Sequence, residues 1–285
     1  MNVKETSWKP LEQESNHKKV FYVTCPWFRT GGPEALHQLC DALHGNIFYD
    51  DKESDVLLYP EYSNITIVKE IPDSKNTVII IPEGNDISEF CSKHPLSKIV
   101  LWWLSFDWGK KHLESHKKQK VLHAYQSEYA RLMVGEDGIM LSDYTNIEEP
   151  LKQKKIYRIA YNPKKDHITP RVFQGCIPLI NMTKQEMIDI LSKCEIYIDL
   201  GFHPGKDRIP REAALCDCIV ITNTVGSAGN SIDVPIHEKV DNIEKLQYFV
   251  NNTHLIDQSK YREIIKNEKE TFFIQVEQLK KRVQT

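Results

Sequence analysis

The sequence has no long hydrophobic run and no large excess of charge of one sign. Its 37 basic and 40 acidic side chains give a formal net charge of -3, whereas a nucleic-acid-binding protein usually carries a broad basic excess. No apolar run approaches the roughly 20 residues that cross a bilayer, and the polar extension at residues 1–18 lacks the apolar segment of a signal peptide. The composition therefore predicts a cytoplasmic protein with no nucleic-acid partner.

Paired cysteines and paired metal-binding aspartates are missing as well. The seven cysteines are odd in number, scattered, and mostly placed in apolar segments, so they lack the spacing of zinc sites and are typical of reduced core residues. Asp50 and Asp51 are adjacent rather than separated by one residue. The sequence thus contains no recognisable metal-binding motif.

Short apolar runs alternate with helical patterns along the chain. Several runs are continuously apolar, as in strands covered on both faces, so the order of strand, helix and strand predicts an α/β fold with mostly parallel sheets. The predicted strands are Val20–Thr24, Asn46–Tyr49, Val56–Tyr59, Thr77–Pro82, Lys98–Leu104, Lys120–Tyr125, Gly138–Leu141, Lys155–Tyr161, Val172–Cys176, Glu195–Leu200, Cys218–Thr222 and Asp233–Pro235. The predicted helices are Glu34–Leu43, Ser127–Val134, Lys184–Lys193, Pro210–Leu215 and a long stretch from Asn242 to the end.

A change of composition at residues 146–155 predicts a boundary between two halves. The stretch combines acidic residues, Pro150 and a basic cluster between two series of strands. We therefore expect two Rossmann-like domains, at residues 19–148 and 149–285, that face each other across a cleft. The last predicted helix is free to pack on the second half or to cross back to the first.

The stretch LGFHPGKDRIPREAALCDCIVIT, residues 200–222, places many ionisable side chains between two apolar runs. Pro210 suits the first position of a helix, which would put Arg208 and Arg211 beside unpaired backbone amides. Lys206 lies close by, and open α/β sheets bind ligands at the carboxyl ends of their strands. Together these features predict a phosphate or diphosphate site, although each residue alone is also typical of a solvated helix start.

Residues that follow this helix start extend the predicted site. Glu212 is placed to accept hydrogen bonds from ribose hydroxyls, as acids do in dinucleotide sites, or to compensate the helix dipole. The loop NTVGSAGN at 223–230, with Gly226 and Ser227, consists of small residues that let the backbone approach a ligand. The predicted ligand is therefore a nucleotide derivative.

The segment YIDLGFHPGKDRIPREAALCDCIVITNTVGSAGN, residues 197–230, resembles the donor-binding segment of GT-B glycosyltransferases from bacterial capsule and lipopolysaccharide clusters. The run that begins at Glu212 is similar to the family segment E-A-hydrophobic-A-x-G-x-P-V-I, whose glutamate usually holds the nucleotide ribose. His203 and Pro204 are similar to a His-Pro motif of bacterial sialyltransferases that contacts the phosphate of CMP-sugars. Many retaining members carry a second glutamate where this chain has Pro204, so the stereochemistry is left open.

The resemblance implies a nucleotide-sugar donor, a glycan or lipid-linked glycan acceptor, and transfer without a bound metal or other cofactor. It extends to residues 24–45, 121–134 and 156–166. The donor-binding residues that it implies, together with the helix-start argument above, are Lys164 or its neighbour Lys165, His203, Lys206, Arg208, Arg211, Glu212, Gly226 and Ser227. The expected residues of the acceptor-side cleft loop are Arg29, Gly31 and Gly32, with the two glycines in a turn before the first helix.

Two acids of the first half, Glu34 and Asp107, are the candidate catalytic bases. A carboxylate that faces the donor takes the proton of the acceptor hydroxyl in an inverting enzyme. Glu34 follows the double glycine and Asp107 follows a buried strand, and each is also compatible with an ordinary first-turn acid. His37 and His123 are more typical of structural histidines.

Three functions remain open at this stage. A glycosyltransferase of surface polysaccharide biosynthesis is favoured; the alternatives are a nucleotide-sugar epimerase on the same fold and a non-catalytic nucleotide- or glycan-binding partner of another transferase. The basic run at 110–120 favours a solvated helix, or else contact with anionic lipid at the inner membrane face. Trp102, Trp103, Phe106 and Trp108 belong to the core or offer a face for sugar stacking.

Overall fold

The computed structural model describes residues 18–147 and 153–284. The strands are β1 Val20–Cys25, β2 Asn46–Tyr49, β3 Thr66–Ile67, β4 Thr77–Pro82, β5 Lys98–Trp103, β6 Leu122–Tyr125, β7 Gly138–Met140, β8 Tyr157–Tyr161, β9 Ile177–Pro178, β10 Cys194–Asp199, β11 Ile219–Asn223 and β12 Lys239–Val240. The helices are α1 Gly31–Ala42, α2 Ser88–Lys93, α3 Phe106–Gly109, α4 Leu113–Lys117, α5 Glu128–Val134, α6 Thr169–Val172, α7 Lys184–Lys193, α8 Arg208–Leu215, α9 Ile243–Asn251, α10 Ser259–Lys266 and α11 Glu268–Gln284.

The strands form two parallel sheets, as the apolar runs predict. The first sheet has the order β3-β2-β1-β4-β5-β6-β7 and the second the order β12-β11-β10-β8-β9, and every pairing is parallel. The central strands are buried along almost their whole length because helices cover both faces. We call the seven-stranded sheet with its helices the first lobe, and the five-stranded sheet with its helices the second lobe.

The last helix, α11, returns to the first lobe. One stripe of α11 packs into the apolar core beside β1, β2 and α1, and its spacing is that of a single helical face. The residues of this stripe are Phe272, Val276, Leu279 and Val283. The stretch predicted as one long helix from Asn242 is in fact the three helices α9, α10 and α11. The chain leaves the helix after Asn251, and it turns again at Asn267 to cross between the lobes.

Three predicted strands are not strands. Val56–Tyr59 lies in the long connection after β2, where Tyr59 is buried and its hydroxyl donates to the carbonyl of Thr30 at 3.0 Å. Val172–Cys176 begins at the end of α6, and Asp233–Pro235 is a loop. Leu58, Tyr59 and Val234 are buried from irregular backbone, whereas Phe173 and Cys176 are half-buried. The two-residue strands β3, β9 and β12 complete the sheets instead.

The predicted boundary and N-terminal extension lie partly beyond what can be described. Residues 148–152, within the predicted boundary, and residues 1–17 lie outside the described residues. Across the two described ranges, no helix has both the length and the apolar character needed to cross a membrane.

Candidate functional site

The charged loop at residues 200–207 lies between the two lobes. It leaves the carboxyl end of β10 and contacts the carboxyl ends of β5 and β6 across the crevice. The N–H of Phe106 donates to the carbonyl of Pro204 at 3.2 Å, and the side-chain amide of Gln126 bonds the N–H of Lys206 at 2.9 Å and its carbonyl at 3.4 Å. The predicted binding loop is therefore at the interlobe crevice, where open α/β folds bind ligands.

Gly205 allows the closest approach of the lobes. A Cβ atom at this position would lie 2.1 Å from the carbonyl oxygen of Leu104, a backbone atom that cannot rotate away. We expect Gly205→Ala to lower the free energy of unfolding by about 1–3 kcal/mol, as overpacking does, measured by urea denaturation. Gly84→Ala is the matched control, since its Cβ would meet nothing within 4 Å. An equal effect of both substitutions would contradict the contact.

Arg208 connects the second lobe to two acids of the first. It begins α8, two residues before the predicted start at Pro210, and its side chain is 9% exposed. Its Nη1 lies 2.7 Å from Oε1 of Glu34, and its Nη2 lies 2.8 Å from Oδ2 of Asp143. Nη2 also donates to the amide oxygen of Gln38 at 3.1 Å. Arg208 is thus held from two sides within the crevice.

Glu34 lies in the first turn of α1, at the carboxyl end of β1. Gly31 and Gly32 belong to this first turn instead of the predicted preceding turn, and a Cβ on Gly31 would lie 3.4 Å from Cδ of Arg208. Besides Arg208, Oε1 of Glu34 faces Nζ of Lys184 at 3.3 Å and accepts from the hydroxyl of Tyr62 at 3.4 Å. Three donors therefore converge on one carboxylate oxygen.

Lys184 links the acids of both lobes, and sequence reasoning missed it. It is the first residue of α7 and lies 3.9 Å from Oε1 of Glu212 as well as close to Glu34. Glu212 is buried; burial raises its pKa, and the charges of Lys184 and Arg208 oppose part of that rise. A lysine that starts a capped helix carries no local signal of this role, because both partner acids are distant in sequence.

Arg211 and Lys206 face acids, not the open crevice. Arg211 is 1% exposed, and its guanidinium bonds Oδ1 of Asp143 at 3.0 Å and Oε2 of Glu268 at 2.8 Å. Nζ of Lys206 lies 2.8 Å from Oε1 of Glu268. The predicted cradle of three cations is therefore an ion cluster, in which only Arg208 also reaches Glu34. Asp143 and Glu268, which sequence reasoning missed, compensate the charge of these two cations.

His203 is buried between two carboxylates. It is 2% exposed, with Nδ1 at 3.0 Å from Oδ2 of Asp207 and Nε2 at 3.4 Å from Oδ1 of Asp199. Burial alone lowers the pKa of His203, but the hydrogen bonds and charges of the two aspartates outweigh it and raise the pKa to about 9. Lys165 forms a further ion pair with Asp207. His203 therefore fixes the 200–207 loop, which differs from the predicted contact with a phosphate.

The same three side chains are the metal-ligand candidates among the described residues. One ligand atom each of Asp199, His203 and Asp207 lies within 4.8 Å of the others. A raised histidine pKa favours the imidazolium, whose nitrogens have no free lone pair for a metal. A metal ion at this cluster would instead require the neutral imidazole.

The protonation of His203 predicts a pH dependence of stability. Because its folded pKa of about 9 lies above the unfolded value of 6.5, the stabilisation is complete below pH 6.5 and is lost as the pH rises through 9. We expect the free energy of unfolding to fall by ~3 kcal/mol across this window, measured by urea denaturation at several pH values. His203→Gln should remove the dependence; an unchanged slope in that variant would contradict the assignment.

The small-residue loop after β11 joins the lobes. A Cβ on Gly226, whose φ is +64°, would lie 2.2 Å from the carbonyl oxygen of His203, and Ser227 is buried and donates to Oδ2 of Asp233 at 3.1 Å. Asp233 in turn accepts from the backbone N–H groups of Glu128 at 2.7 Å and Tyr129 at 2.9 Å, at the start of α5 in the first lobe. Gly226 and Ser227 therefore stabilise the interlobe contact.

The other predicted residues lie around the crevice. Asp107 bonds Nζ of Lys110 at 2.8 Å and the hydroxyl of Tyr129 at 3.1 Å. The guanidinium of Arg29 donates to the carbonyl of Leu58 at 2.7 Å and is otherwise exposed. Lys164 is exposed after β8, and its ammonium group has no ion-pair partner within the described part of the chain. The structure thus brings Glu34, Arg208 and Glu212 together. Asp107, Arg29 and Lys164 do not join this group.

The aromatic and histidine predictions are resolved by burial. Trp102, Trp103 and Phe106 belong to the core, whereas Trp108 is 70% exposed. His37 bonds the carbonyl of Pro33 and the hydroxyl of Tyr49 at 2.7 and 2.9 Å, and His123 accepts from the indole of Trp103 at 2.9 Å. Both histidines are structural, as predicted.

Comparison with known proteins supports the architecture. The sequence matches no protein-family model and no curated protein. A chain of the GtfA/B complex superposes with a TM-score of 0.51 at 11% identity, covering 75% of this chain and 58% of that one. TarM superposes with a TM-score of 0.50 at 11% identity, covering 75% and 52%. A mutant of S. aureus TarM in complex with fondaparinux, α-GlcNAc-glycerol and UDP gives a TM-score of 0.49 at 12% identity, covering 75% and 52%, which is too low to support an argument.

The chain spans a little over half the length of these proteins, and identities this low concern the fold alone. Two parallel α/β sheets, with the carboxyl ends of their strands meeting at a shared crevice, form the predicted arrangement. The chain therefore has the GT-B fold.

Proposed function

We propose that the chain is a glycosyltransferase that moves a sugar from a nucleotide-activated donor to a glycan or lipid-linked glycan acceptor. The observation that carries the proposal is the convergence of Glu34 from the first lobe with Arg208 and Lys184 from the second, inside the crevice. A carboxylate beside two cations provides the groups that sugar transfer needs: a base for the acceptor and positive charge for the leaving group.

The proposed reaction assigns a role to each group. The acceptor oxygen forms a bond to the anomeric carbon, and the bond from that carbon to the donor phosphate breaks, with its electron pair passing to the phosphate. The acceptor proton passes to Glu34 in a direct displacement. Arg208 and Lys184 stabilise the negative charge that develops on the phosphate, and Glu212 accepts hydrogen bonds from the ribose hydroxyls.

The remaining features of the proposal concern its setting. No metal or other cofactor is assigned to the reaction, because the cations of the chain supply the positive charge. We place the protein in the cytoplasm and its product in surface polysaccharide biosynthesis. A lipid-linked acceptor would bring the protein to the inner face of the membrane.

Nucleotide release tests this function. The purified chain is incubated with UDP-, GDP- and CMP-sugars, with and without glycan acceptors, and released nucleotide is measured. Release that depends on an added acceptor is the expected result. Conversion of the sugar without release would instead indicate the epimerase.

A non-catalytic partner of another transferase is the second candidate. It is favoured by the charge of the cluster, in which four cations already face four acids. The cations are Lys184, Lys206, Arg208 and Arg211, and the acids are Glu34, Asp143, Glu212 and Glu268. Such a cluster has little excess charge for a diphosphate. Binding of a nucleotide or a glycan with no turnover of any donor would support this candidate.

A further inference from the structure

One oxygen of Glu34 makes the contacts that a phosphate oxygen would make. Oε1 lies 2.7 Å from Nη1 of Arg208, 3.3 Å from Nζ of Lys184 and 3.4 Å from the hydroxyl of Tyr62. Two cations and one neutral donor around a single anionic oxygen form a usual environment of a bound phosphate, and Nη1 of Arg208 makes no hydrogen bond among the described residues. The carboxylate of Glu34 therefore stands in for an anion at this point of the crevice.

Arg208, Lys184 and Glu34 differ in how firmly they are held. Arg208 is bonded on its other side to Asp143, which is fully buried and is also bonded by Arg211 and Gln126. Arg208 is therefore fixed on the second lobe. Lys184 is 39% exposed and lies at the crevice opening. A rotation of the Glu34 side chain would break its contacts with both cations, while Arg208 would keep its contact with Asp143.

We propose that Arg208 and Lys184 form the anion subsite for the donor phosphate, and that Glu34 occupies this subsite until the donor displaces it. The inference rests on the proposed function and adds an order of events to it. Displacement frees the Glu34 carboxylate from two cations, and only then is it available to accept the proton of the acceptor hydroxyl. Donor binding therefore precedes the activation of the acceptor.

The inference predicts that loss of an acid improves nucleotide binding. Glu34→Gln removes the competing charge but keeps the shape of the side chain, so we expect the Kd for the preferred nucleotide, from a panel of UDP, GDP, ADP and CMP, to fall by about tenfold, or ~1.4 kcal/mol. Isothermal titration calorimetry measures this change. Replacing a residue that merely contacts the ligand would raise the Kd instead.

Three further variants separate the displacement of Glu34 by the nucleotide from a general effect of charge on nucleotide binding. Glu128→Gln is the matched control: it removes an acid from a first helical turn of the same lobe, where the acid pairs with Arg131 instead, and should leave the Kd unchanged. In an Arg208→Met background, Glu34→Gln should no longer tighten binding, because the two side chains act on each other. Lys184→Met, at an exposed helix start, should weaken binding by about tenfold.

The outcomes distinguish the inference from the proposed function. If neither the wild type nor Glu34→Gln binds any nucleotide of the panel, the proposed function fails. If the wild type binds but Glu34→Gln binds equally or more weakly, the inference alone is overturned. Unchanged affinity in Lys184→Met would also overturn it, and that variant serves if Glu34→Gln does not fold.

Discussion

Replacing Arg211 with alanine should lower the free energy of unfolding by about 3–5 kcal/mol, as loss of one partner of a buried ion pair does. The guanidinium is 1% exposed and lies between Asp143 and Glu268, so its removal takes one of two cations from each of two buried carboxylates. Urea denaturation followed by circular dichroism measures the loss. Arg211 is one of the donor-binding residues predicted from the sequence, and its buried position gives the substitution this effect on the fold.

Arg131→Ala provides the control for this prediction. Arg131 forms an ion pair with Glu128 on the surface, three residues away on α5, and exposed pairs of this kind contribute little to stability. Loss of stability in Arg211→Ala no greater than in Arg131→Ala would show that the cluster of Arg211, Asp143 and Glu268 does not stabilise the fold.

Glu34→Gln should reduce sugar transfer by about 10²–10⁴-fold, the usual contribution of a positioned general base. The amide keeps the size of the side chain but cannot take a proton from the acceptor. Steady-state nucleotide release with saturating donor and acceptor measures the turnover number. Combined with the tighter nucleotide binding expected above, this variant would bind its donor better while reacting far more slowly.

Asp107→Asn is the comparison that decides between the two candidate bases. Asp107 bonds Lys110 and Tyr129 on the α3 and α5 side of the crevice and contacts neither Arg208 nor Lys184. We expect its turnover to remain close to that of the wild type. Wild-type turnover in Glu34→Gln together with a large loss in Asp107→Asn would move the base to Asp107.

Secondary structure was predictable where the local pattern and the burial agree. Asn46–Tyr49, Thr77–Pro82 and Lys184–Lys193 begin and end where the apolar pattern predicts. The start of α7 is also encoded locally, since Thr183 and Glu186 form a capping box. The prediction of a strand at Val56–Tyr59 is wrong because a loop whose side chains pack inward can have the same apolar composition.

The position of the site was predictable from the sequence, but the acid that each of its cations contacts was not. The carboxyl end of a buried strand followed by a charged helix start located the crevice correctly. The partners of the cations could not be read from the sequence, since Glu268 lies 57 positions from Arg211 and Asp143 lies 68 positions away. A local pattern shows which charges are present, whereas only the fold determines which acid each cation meets.

The return of α11 to the first lobe has a consequence for how the protein is made. Residues 268–284 complete a core whose other members are translated first, and Nζ of Lys98 meets the carbonyl of Val283 at 3.5 Å, 185 positions later. Contacts of such long range form late and slow folding. On the ribosome the apolar face that α11 covers therefore stays uncovered until the second lobe has been translated, and apolar surface exposed in this way favours aggregation during synthesis.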